Sequence, residues 1–320
     1  MMTPAHPIIL ILGPTAGGKT ELALQLAERL PGGGTCLCCD SMQVYRGMDI
    51  GTAKPSPAER ARVRHMLFDI ADPAEDGLTV HRWLDLAEEA IATARRANRW
   101  PIVVGGTNLY VKALLEGLFD APQPDPDLRA QLEAMPAEAR RAELESLDPD
   151  AAERIHPADH RRTIRALEVC RTTGRPISDW QQQWDLGRVR EDVRIVGLVW
   201  PVELINRRIN ERVRQMMAAG LLDEVRALHT SGRLGRQARA ALGYAQLIDH
   251  LEGRCTLDAA VEQIKIRSRR YAKQQRTWLR RFRAYPSARW FEMNGEGPDE
   301  IVRIAEHVAD WVSSSPSAPG

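Results

Sequence analysis

Short apolar runs alternate with helical repeats through the first 118 residues of the chain. The runs predict buried strands, and they lie at residues 7–12 (PIILIL), 35–40 (TCLCCD) and 101–106 (PIVVGG). Between them, apolar residues recur every three or four positions, which predicts helices beginning near Thr20 and covering Val80–Arg96. This alternation is typical of an α/β fold, a mostly parallel sheet with helices on its faces.

The middle of the chain shows a different pattern. A Pro/Asp-rich break at Asp120–Asp127 precedes a stretch from Leu128 to about Trp184 that has helical periodicity only. The apolar run Val193–Trp200 then resumes the strand pattern. The sequence therefore predicts an α/β core domain with C-terminal helices at residues 1–122 and 190–312. A helical insertion domain occupies residues 123–189, and a disordered tail occupies 313–320.

Composition narrows the class of protein. The chain has 320 residues, 43% hydrophobic and 27% charged residues and a net charge of +1, as expected for a globular protein with about two domains. No apolar run is long enough for a signal or membrane segment, so we expect no membrane partner. The cluster CLCC has no second Cys or His pair at zinc spacing, which indicates reduced, buried thiols and a cytoplasmic location.

A phosphate-binding loop follows the first strand. Residues 13–20 read GPTAGGKT and fill the frame G-x-x-x-x-G-K-[ST] between a predicted strand and a predicted helix. Glycines let backbone N–H groups point at an anion, and the start of the helix adds its positive end. Lys19 would reach the outer phosphate oxygens, and the Thr20 hydroxyl would ligate Mg²⁺.

The chemistry performed on the phosphate is open at this point. The strand PIVV ends in Gly105-Gly106-Thr107 without the acid that usually helps to hold Mg²⁺ in nucleoside triphosphatases. The strand TCLCC does end in an acid, Asp40, at the sheet edge where ligands bind. Asp40 is either the base of a small-molecule or nucleoside kinase that uses ATP, or a base acting on another nucleophile.

Five sequence blocks together resemble the tRNA dimethylallyltransferases, also called tRNA isopentenyltransferases, of the bacterial type. The blocks are GPTAGGKT, DSMQVYRGMDIGTAKP, VGGTNLYVKALLEGL, RALEV…TTGRPIS and KQQRTWLRRF, and their order and spacing cover the chain from about residue 8 to 283. The resemblance implies a parallel-sheet core like that of P-loop NTPases, with an all-helical insertion domain. It also implies transfer of a dimethylallyl group from dimethylallyl diphosphate to N6 of the adenosine 3′ to the anticodon. That adenosine is at position 37 of tRNAs reading codons that start with U.

The resemblance also implies roles for individual residues. Asp40, Lys19 and Thr20 are the expected catalytic residues, and Thr20 is the expected Mg²⁺ ligand. The expected diphosphate-binding residues are Gly13, Pro14, Thr15, Ala16, Gly17, Gly18, Lys19 and Thr20. The expected tRNA-binding residues are Asp40, Ser41, Met42, Gln43, Thr107, Arg129, Arg161, Arg162, Thr163, Ile164, Arg165, Gly243, Tyr244, Lys273, Gln274, Gln275, Arg276, Thr277, Trp278, Leu279 and Arg280. The expected partner is the anticodon stem-loop of tRNA, bound by a monomer.

A basic segment supports RNA binding independently of the resemblance. Residues 265–283 contain nine Lys and Arg residues and no acid. On a helix, one basic face is formed by Arg269, Lys273, Arg276, Arg280 and Arg283, and the opposite face carries Tyr271, Gln275, Trp278 and Phe282. We expect phosphate contacts on the first face and core packing on the second. Two alternatives to tRNA prenyl transfer are prenylation of free adenine nucleotides and RNA binding without catalysis.

Overall fold

The computed structural model describes residues 6–75, 78–118, 125–185 and 190–314, and these form two units. The core unit comprises residues 1–114 and 191–320, and the helical unit comprises residues 115–190. The sequence places the insertion at 123–189. Of the predicted tail, Ser313 and Ser314 belong to the last helix, and residues 315–320 lie outside the described residues, as do residues 120–124 of the predicted break.

The core unit is built on a six-stranded parallel sheet with the strand order β3-β2-β4-β1-β5-β6. The strands are β1 (Ile8–Leu12), β2 (Gly34–Cys39), β3 (Arg64–Met66), β4 (Trp100–Gly105), β5 (Val193–Val199) and β6 (Ala288–Glu292). The strands predicted from the apolar runs are β1, β2, β4 and β5, and they are adjacent in the sheet. The sequence did not predict β3 and β6, the two edge strands, because both are partly exposed and lack a continuous apolar run, and β3 has only three residues.

Burial explains why apolar runs in the sequence predicted the central strands. Every residue of β1 is at most 1% exposed, and β1 pairs with β4 on one side and β5 on the other. A parallel strand covered on both faces by helices needs an unbroken apolar run, which IILIL provides. On β2, the thiols of Cys36, Cys38 and Cys39 are free and buried, as predicted.

Fifteen helices complete the described part of the chain. They are α1 (Lys19–Arg29), α2 (Pro57–Arg62), α3 (Val80–Arg96), α4 (Asn108–Glu116), α5 (Pro126–Ala134), α6 (Ala137–Leu147), α7 (Pro149–Arg154), α8 (His160–Thr173), α9 (Ile177–Asp185), α10 (Val202–Ala218), α11 (Leu221–Thr230), α12 (Arg236–Arg239), α13 (Tyr244–Leu251), α14 (Leu257–Phe282) and α15 (Pro298–Ser314). Within the described ranges, no helix has the length and apolar character needed to cross a membrane.

The helical unit contains α5 to α9 and has its own apolar core, which includes Leu132, Leu144 and Leu167. Asp148, which is 1% exposed, joins two of its helices. Its Oδ1 accepts a hydrogen bond from Ala151 N at the start of α7, and its Oδ2 accepts one from Ser178 N in α9 (both 2.9 Å). A buried carboxylate satisfied at both oxygens in this way fixes the path between the two helices.

The parallel arrangement gathers four connections at one edge of the sheet. The carboxyl ends of β1, β2, β4 and β5 lead into residues 13–18, Asp40, Gly106-Thr107 and the start of α10, respectively. Ligands of open α/β sheets bind at this edge. The fold therefore brings the candidate chemistry of the sequence to one place.

Candidate active site

The phosphate loop, residues 13–20, connects β1 to α1 in a tight turn. Gly18 has φ +87°, a left-handed conformation that favours glycine, and α1 begins at the next residue. The Lys19 ammonium donates hydrogen bonds to Gly13 O (3.0 Å) and Pro14 O (2.9 Å), so it is held over the loop. Burial lowers the pKa of Lys19 to about 8, an effect to which Arg212 adds and which Asp40 opposes.

Two arginines of α10 extend the positive charge of the loop. Arg208 Nε donates to Ala16 O (2.9 Å), and Arg212 Nη1 donates to Thr15 Oγ1 (3.4 Å). Burial lowers the pKa of both guanidinium groups, and the Asp40 carboxylate opposes the effect at Arg212. Neither arginine forms an ion pair within the described residues. Cations held close together without carboxylate partners favour an anionic ligand.

Neither arginine was predicted from the sequence as part of the site. The available signal was their spacing of four residues on the helix that follows β5, because this spacing places two side chains on one helical face. Trp200, between β5 and α10, fixes this helix against the loop. Its Nε1 donates to Gly17 O (3.1 Å), and the Arg208 guanidinium lies 4.6 Å from its ring centroid.

Asp40 lies at the end of β2 with one carboxylate oxygen engaged. Oδ1 accepts hydrogen bonds from Met42 N (2.9 Å) and Gln43 N (3.4 Å), whereas Oδ2 has no hydrogen-bond partner among the described residues. Across from it, Thr107 Oγ1 accepts from Ser41 N (2.9 Å). The structure thus brings together Asp40–Gln43 and Thr107, all of which the resemblance assigns to tRNA binding.

These groups line one cavity of about 930 Å³ within the core unit. Its lining includes the phosphate loop from Thr15 to Thr20, Asp40, Gly105-Gly106, both α10 arginines, and Tyr271 and Gln275 of α14. The volume is in the upper part of the range of small-molecule sites. One end of the cavity therefore offers cations and loop N–H groups, and a carboxylate oxygen is available in the same space.

The comparison with known proteins identifies the family. The profile of the IPP transferase family matches residues 43–282. The chain belongs to this family. Among curated relatives of this IPP transferase, a tRNA dimethylallyltransferase of Geobacillus kaustophilus is 44% identical over 312 residues, which cover 95% of this chain and 97% of the relative. One from Halorhodospira halophila is 47% identical over 281 residues, covering 86% and 90%.

Solved structures agree with the sequence comparison. The full-length tRNA isopentenylpyrophosphate transferase of Bacillus halodurans superposes with a TM-score of 0.69 at 38% identity, covering 96% of this chain and 97% of that one. A eukaryotic dimethylallyltransferase described as acting on tRNA superposes with a TM-score of 0.79 at 25% identity, covering 98% and 81%. The predicted fold and family are confirmed, and this chain is an enzyme of the transferase class.

In this IPP transferase, the predicted tRNA-binding residues of α14 differ in burial. Lys273, Gln274, Thr277, Trp278 and Arg280 are exposed, Arg276 is half-buried, and Gln275 and Leu279 are buried. Core packing is confirmed for Phe282 but is wrong for Trp278, whose exposed fraction is 37%. The reason is that the buried stripe runs through Ile264, Ser268, Ala272, Leu279 and Phe282, and Trp278 lies beside it rather than on it.

One end of the predicted basic face is neutralised by an acid that precedes it. Glu262, one turn before the basic segment, pairs with Lys265 (3.2 Å) and Arg269 (3.5 Å), and Arg269 also donates to Asn210 Oδ1 (2.6 Å). On the predicted basic face, the exposed cations are therefore Lys273, Arg280 and Arg283, toward the other end of the helix.

The helical unit also separates its candidates by burial. Arg161 and Arg162 are exposed in the first turn of α8, whereas Thr163 and Ile164 are buried in the core of the unit. Arg129 forms a two-pronged ion pair with the buried Glu168 (2.6 and 2.8 Å), and Arg165 lies 3.4 Å from the same carboxylate. Arg129 therefore holds α5 against α8, and Arg165 pairs with Glu168 within α8. Arg161 and Arg162 remain exposed, and Arg162 lies 3.4 Å from Asp159.

Gly243 and Tyr244 are placed where they support the active site rather than face solvent. Tyr244 is fully buried, and its hydroxyl donates to Glu224 Oε1 (2.5 Å). The Glu224 carboxylate also accepts hydrogen bonds from the backbone N–H groups of Asp49, Ile50 and Gly51 (2.8–3.0 Å). Burial and the nearby Glu224 raise the pKa of Tyr244. This network fixes the segment that continues to Thr52 and Ala53, whose carbonyl groups accept from Gln43 Nε2 (2.9 and 3.1 Å).

The donor set fits a Mg²⁺ ion only together with a phosphate ligand. The described residues contain no cluster of three His, Cys, Asp or Glu side chains that could hold a metal ion. Thr20 lines the cavity, and its hydroxyl makes no hydrogen bond to another described residue, so its oxygen is available. Mg²⁺ commonly takes one or two protein oxygens and completes its shell with phosphate oxygens and water.

Proposed function

We propose that this transferase moves the dimethylallyl group of dimethylallyl diphosphate to N6 of the adenosine 3′-adjacent to the anticodon, position 37, of tRNAs reading codons that start with U. Diphosphate is the second product. The observation that carries the proposal is that the cationic phosphate loop and the free Oδ2 of Asp40 line the same cavity. tRNA is the substrate of the family, whereas the donor, the position and the residue roles are our proposal.

The diphosphate end of the donor belongs at the phosphate loop. When the allylic C–O bond breaks, negative charge develops on the departing diphosphate. The Lys19 ammonium and the Arg208 and Arg212 guanidinium groups are held by the loop before the reaction begins, so they stabilise this charge with little reorganisation. Thr20 would hold Mg²⁺, which when bound neutralises further charge on the leaving group.

Asp40 is placed to act as the general base. The exocyclic amine of adenine is a weak nucleophile because its lone pair is delocalised into the ring, so proton removal must accompany bond formation. The two backbone N–H groups on Oδ1 hold the carboxylate, Asp40 lines the cavity, and Oδ2 would take the amine proton. Gln43 lines the same cavity, and Ser41 and Met42 lie between Asp40 and Gln43, with Thr107 bonded to Ser41; these four residues would contact the target base or its neighbours.

RNA binding is assigned to the exposed cations. The base must leave its stack to reach the cavity, as enzymes that modify bases in nucleic acids generally require. Lys273 and Arg280 on α14, and Arg161 and Arg162 on α8, are exposed and basic, which suits contacts with the phosphates of the anticodon stem-loop. We further propose a cytoplasmic monomer; the five free cysteines support a reducing compartment.

One experiment tests the activity directly. The purified protein is incubated with unmodified tRNA, Mg²⁺ and dimethylallyl diphosphate, and the nucleosides are then examined by mass spectrometry. We expect adenosine to gain one dimethylallyl group without any need for ATP, and the position to map 3′ to the anticodon. Transfer of the γ-phosphoryl group of ATP to a small molecule, with tRNA unchanged, would instead support the kinase alternative.

A further inference from the structure

Gln275 makes contacts that the assignment to RNA binding does not explain. It lies on α14 among residues expected to contact tRNA, yet it is only 3% exposed and its side chain points into the active-site cavity. Both ends of its amide are used. Oε1 accepts from Thr15 N (2.8 Å) of the phosphate loop, and Nε2 donates to Gly106 O (3.2 Å) after β4.

The chemistry of this bridge requires an amide of this length. One backbone group is a donor and the other an acceptor, so the side chain must accept at one end and donate at the other. A carboxylate can only accept, and an ammonium can only donate. The two backbone groups also determine which end of the amide is oxygen, because the opposite orientation would place two donors and two acceptors face to face.

The bridge connects the two halves of the proposed reaction. Thr15 belongs to the loop that would hold the diphosphate, and Gly106 is followed by Thr107, whose hydroxyl accepts from Ser41 N beside Asp40. Hydrogen bonds and chain neighbours therefore link the diphosphate loop through Gln275 to Asp40, the proposed general base. Tyr271, one turn earlier on α14, adds a hydrogen bond from its hydroxyl to Gly106 O (3.4 Å).

We propose that Gln275 is a positioning residue that sets the separation between the phosphate loop and the Gly106-Thr107 segment. It thereby holds the leaving group at a fixed distance from Asp40 and the adenine amine. This assignment rests on the proposed function and changes the role of Gln275, which acts within the cavity through its amide and does not contact RNA.

Gly106 provides a second way to disturb the bridge. A Cβ added at this position would overlap Gln275 Nε2, and the next atoms it would meet are Gln275 Cδ at 3.5 Å and Gly13 O at 4.0 Å. The backbone of Gly106 is not left-handed, so alanine is allowed there once the amide is removed. Gly106→Ala and Gln275→Ala should therefore break the same contact, and the second change should cost little after the first.

The experiment combines three measurements on Gln275→Met and on Gln263→Met, an exposed glutamine of the same helix that serves as the matched control. They are single-turnover dimethylallyl transfer, binding of inorganic pyrophosphate with Mg²⁺ by calorimetry, and binding of tRNA. For Gln275→Met we expect the transfer rate to fall by about 10- to 100-fold because the reacting groups are misplaced. Pyrophosphate affinity should weaken by about 3- to 10-fold, and tRNA affinity should stay within about twofold.

A double-mutant cycle with Gly106→Ala and Gln275→Ala separates positioning from a general loss of structure. We expect both single variants to lose transfer and the double variant to lose no more than Gln275→Ala, within about twofold. A misfolded variant would show fewer pyrophosphate sites rather than weaker ones. Additive losses in the cycle, or a Gln275→Met transfer rate within about threefold of wild type, would overturn the proposal.

The same data distinguish this inference from the proposed function. If the wild-type protein transfers no dimethylallyl group, the proposed function fails, whereas weaker pyrophosphate binding by Gln275→Met than by Gln263→Met would still support the bridge. If the wild-type protein transfers the group and Gln275→Met behaves like Gln263→Met, the positioning role fails and the proposed function stands.

Discussion

Asp40→Asn should remove the chemical step and leave both ligands bound. Asparagine has the size of aspartate, and its amide oxygen can still accept from Met42 N and Gln43 N, the two contacts that orient Oδ1. The change is confined to Oδ2, which becomes an NH₂ group that cannot take a proton. Loss of a general base usually costs about 10²- to 10⁴-fold in rate, or about 2.7–5.4 kcal/mol in activation free energy.

Electrostatics predicts that the same substitution, which slows the reaction, does not weaken pyrophosphate binding. The negative charge of Asp40 raises the pKa of Lys19 and of Arg212, so it partly offsets the positive charge of the diphosphate site. Asparagine removes this offset. At a pH well below 8, where Lys19 keeps its charge, Asp40→Asn should therefore bind pyrophosphate at least as tightly as the wild type. A variant that binds the leaving group well and reacts slowly is characteristic of a lost base rather than of a damaged pocket.

The assay measures single-turnover transfer by nucleoside mass spectrometry, with pyrophosphate and tRNA affinities determined on the same preparation. Transfer within about threefold of the wild type would remove Asp40 from the role of base, since no general base of this kind contributes so little. Pyrophosphate affinity that fell in parallel with the rate would instead indicate that Asp40 organises the site.

Three further predictions address the anion site and the RNA surface. Lys19, whose pKa burial lowers to about 8, is charged below that pH and largely neutral above it, so diphosphate affinity should fall as pH rises through about 8. Calorimetry in buffers of different ionisation enthalpy should show proton uptake at about pH 9, and its absence would contradict the assignment. Arg212→Gln should weaken pyrophosphate binding by about 10-fold or more and leave tRNA affinity almost unchanged. The exposed control variant Arg226→Gln should keep nearly wild-type pyrophosphate affinity. Replacing Lys273 and Arg280 by Gln should flatten the slope of log K against log salt for tRNA by about 1–2, and an unchanged slope would exclude phosphate contacts there.

Much of the core fold could be predicted because its signals are local. Continuous apolar runs identified the four central strands, and the glycine-rich frame at residues 13–20 identified the phosphate loop. Edge strands β3 and β6 were not predicted, because both are partly exposed and neither carries an unbroken apolar run. Trp278 was misassigned because helical periodicity defines the direction of a side chain but not whether another element covers it.

The features of the active site also divide into those with a local sequence signal and those that depend on packing. The sequence by itself determined the phosphate loop, Asp40 at a strand end and the basic segment, because each depends on neighbouring residues or on their order along the chain. Only the tertiary structure decided that Arg208 and Arg212 bond to the phosphate loop, that Tyr244 supports a loop through Glu224, and that Gln275 bridges Thr15 and Gly106. The physical reason is range: these contacts join residues far apart in sequence, and only the parallel sheet and the packing of α10 and α14 against its edge bring them within hydrogen-bonding distance.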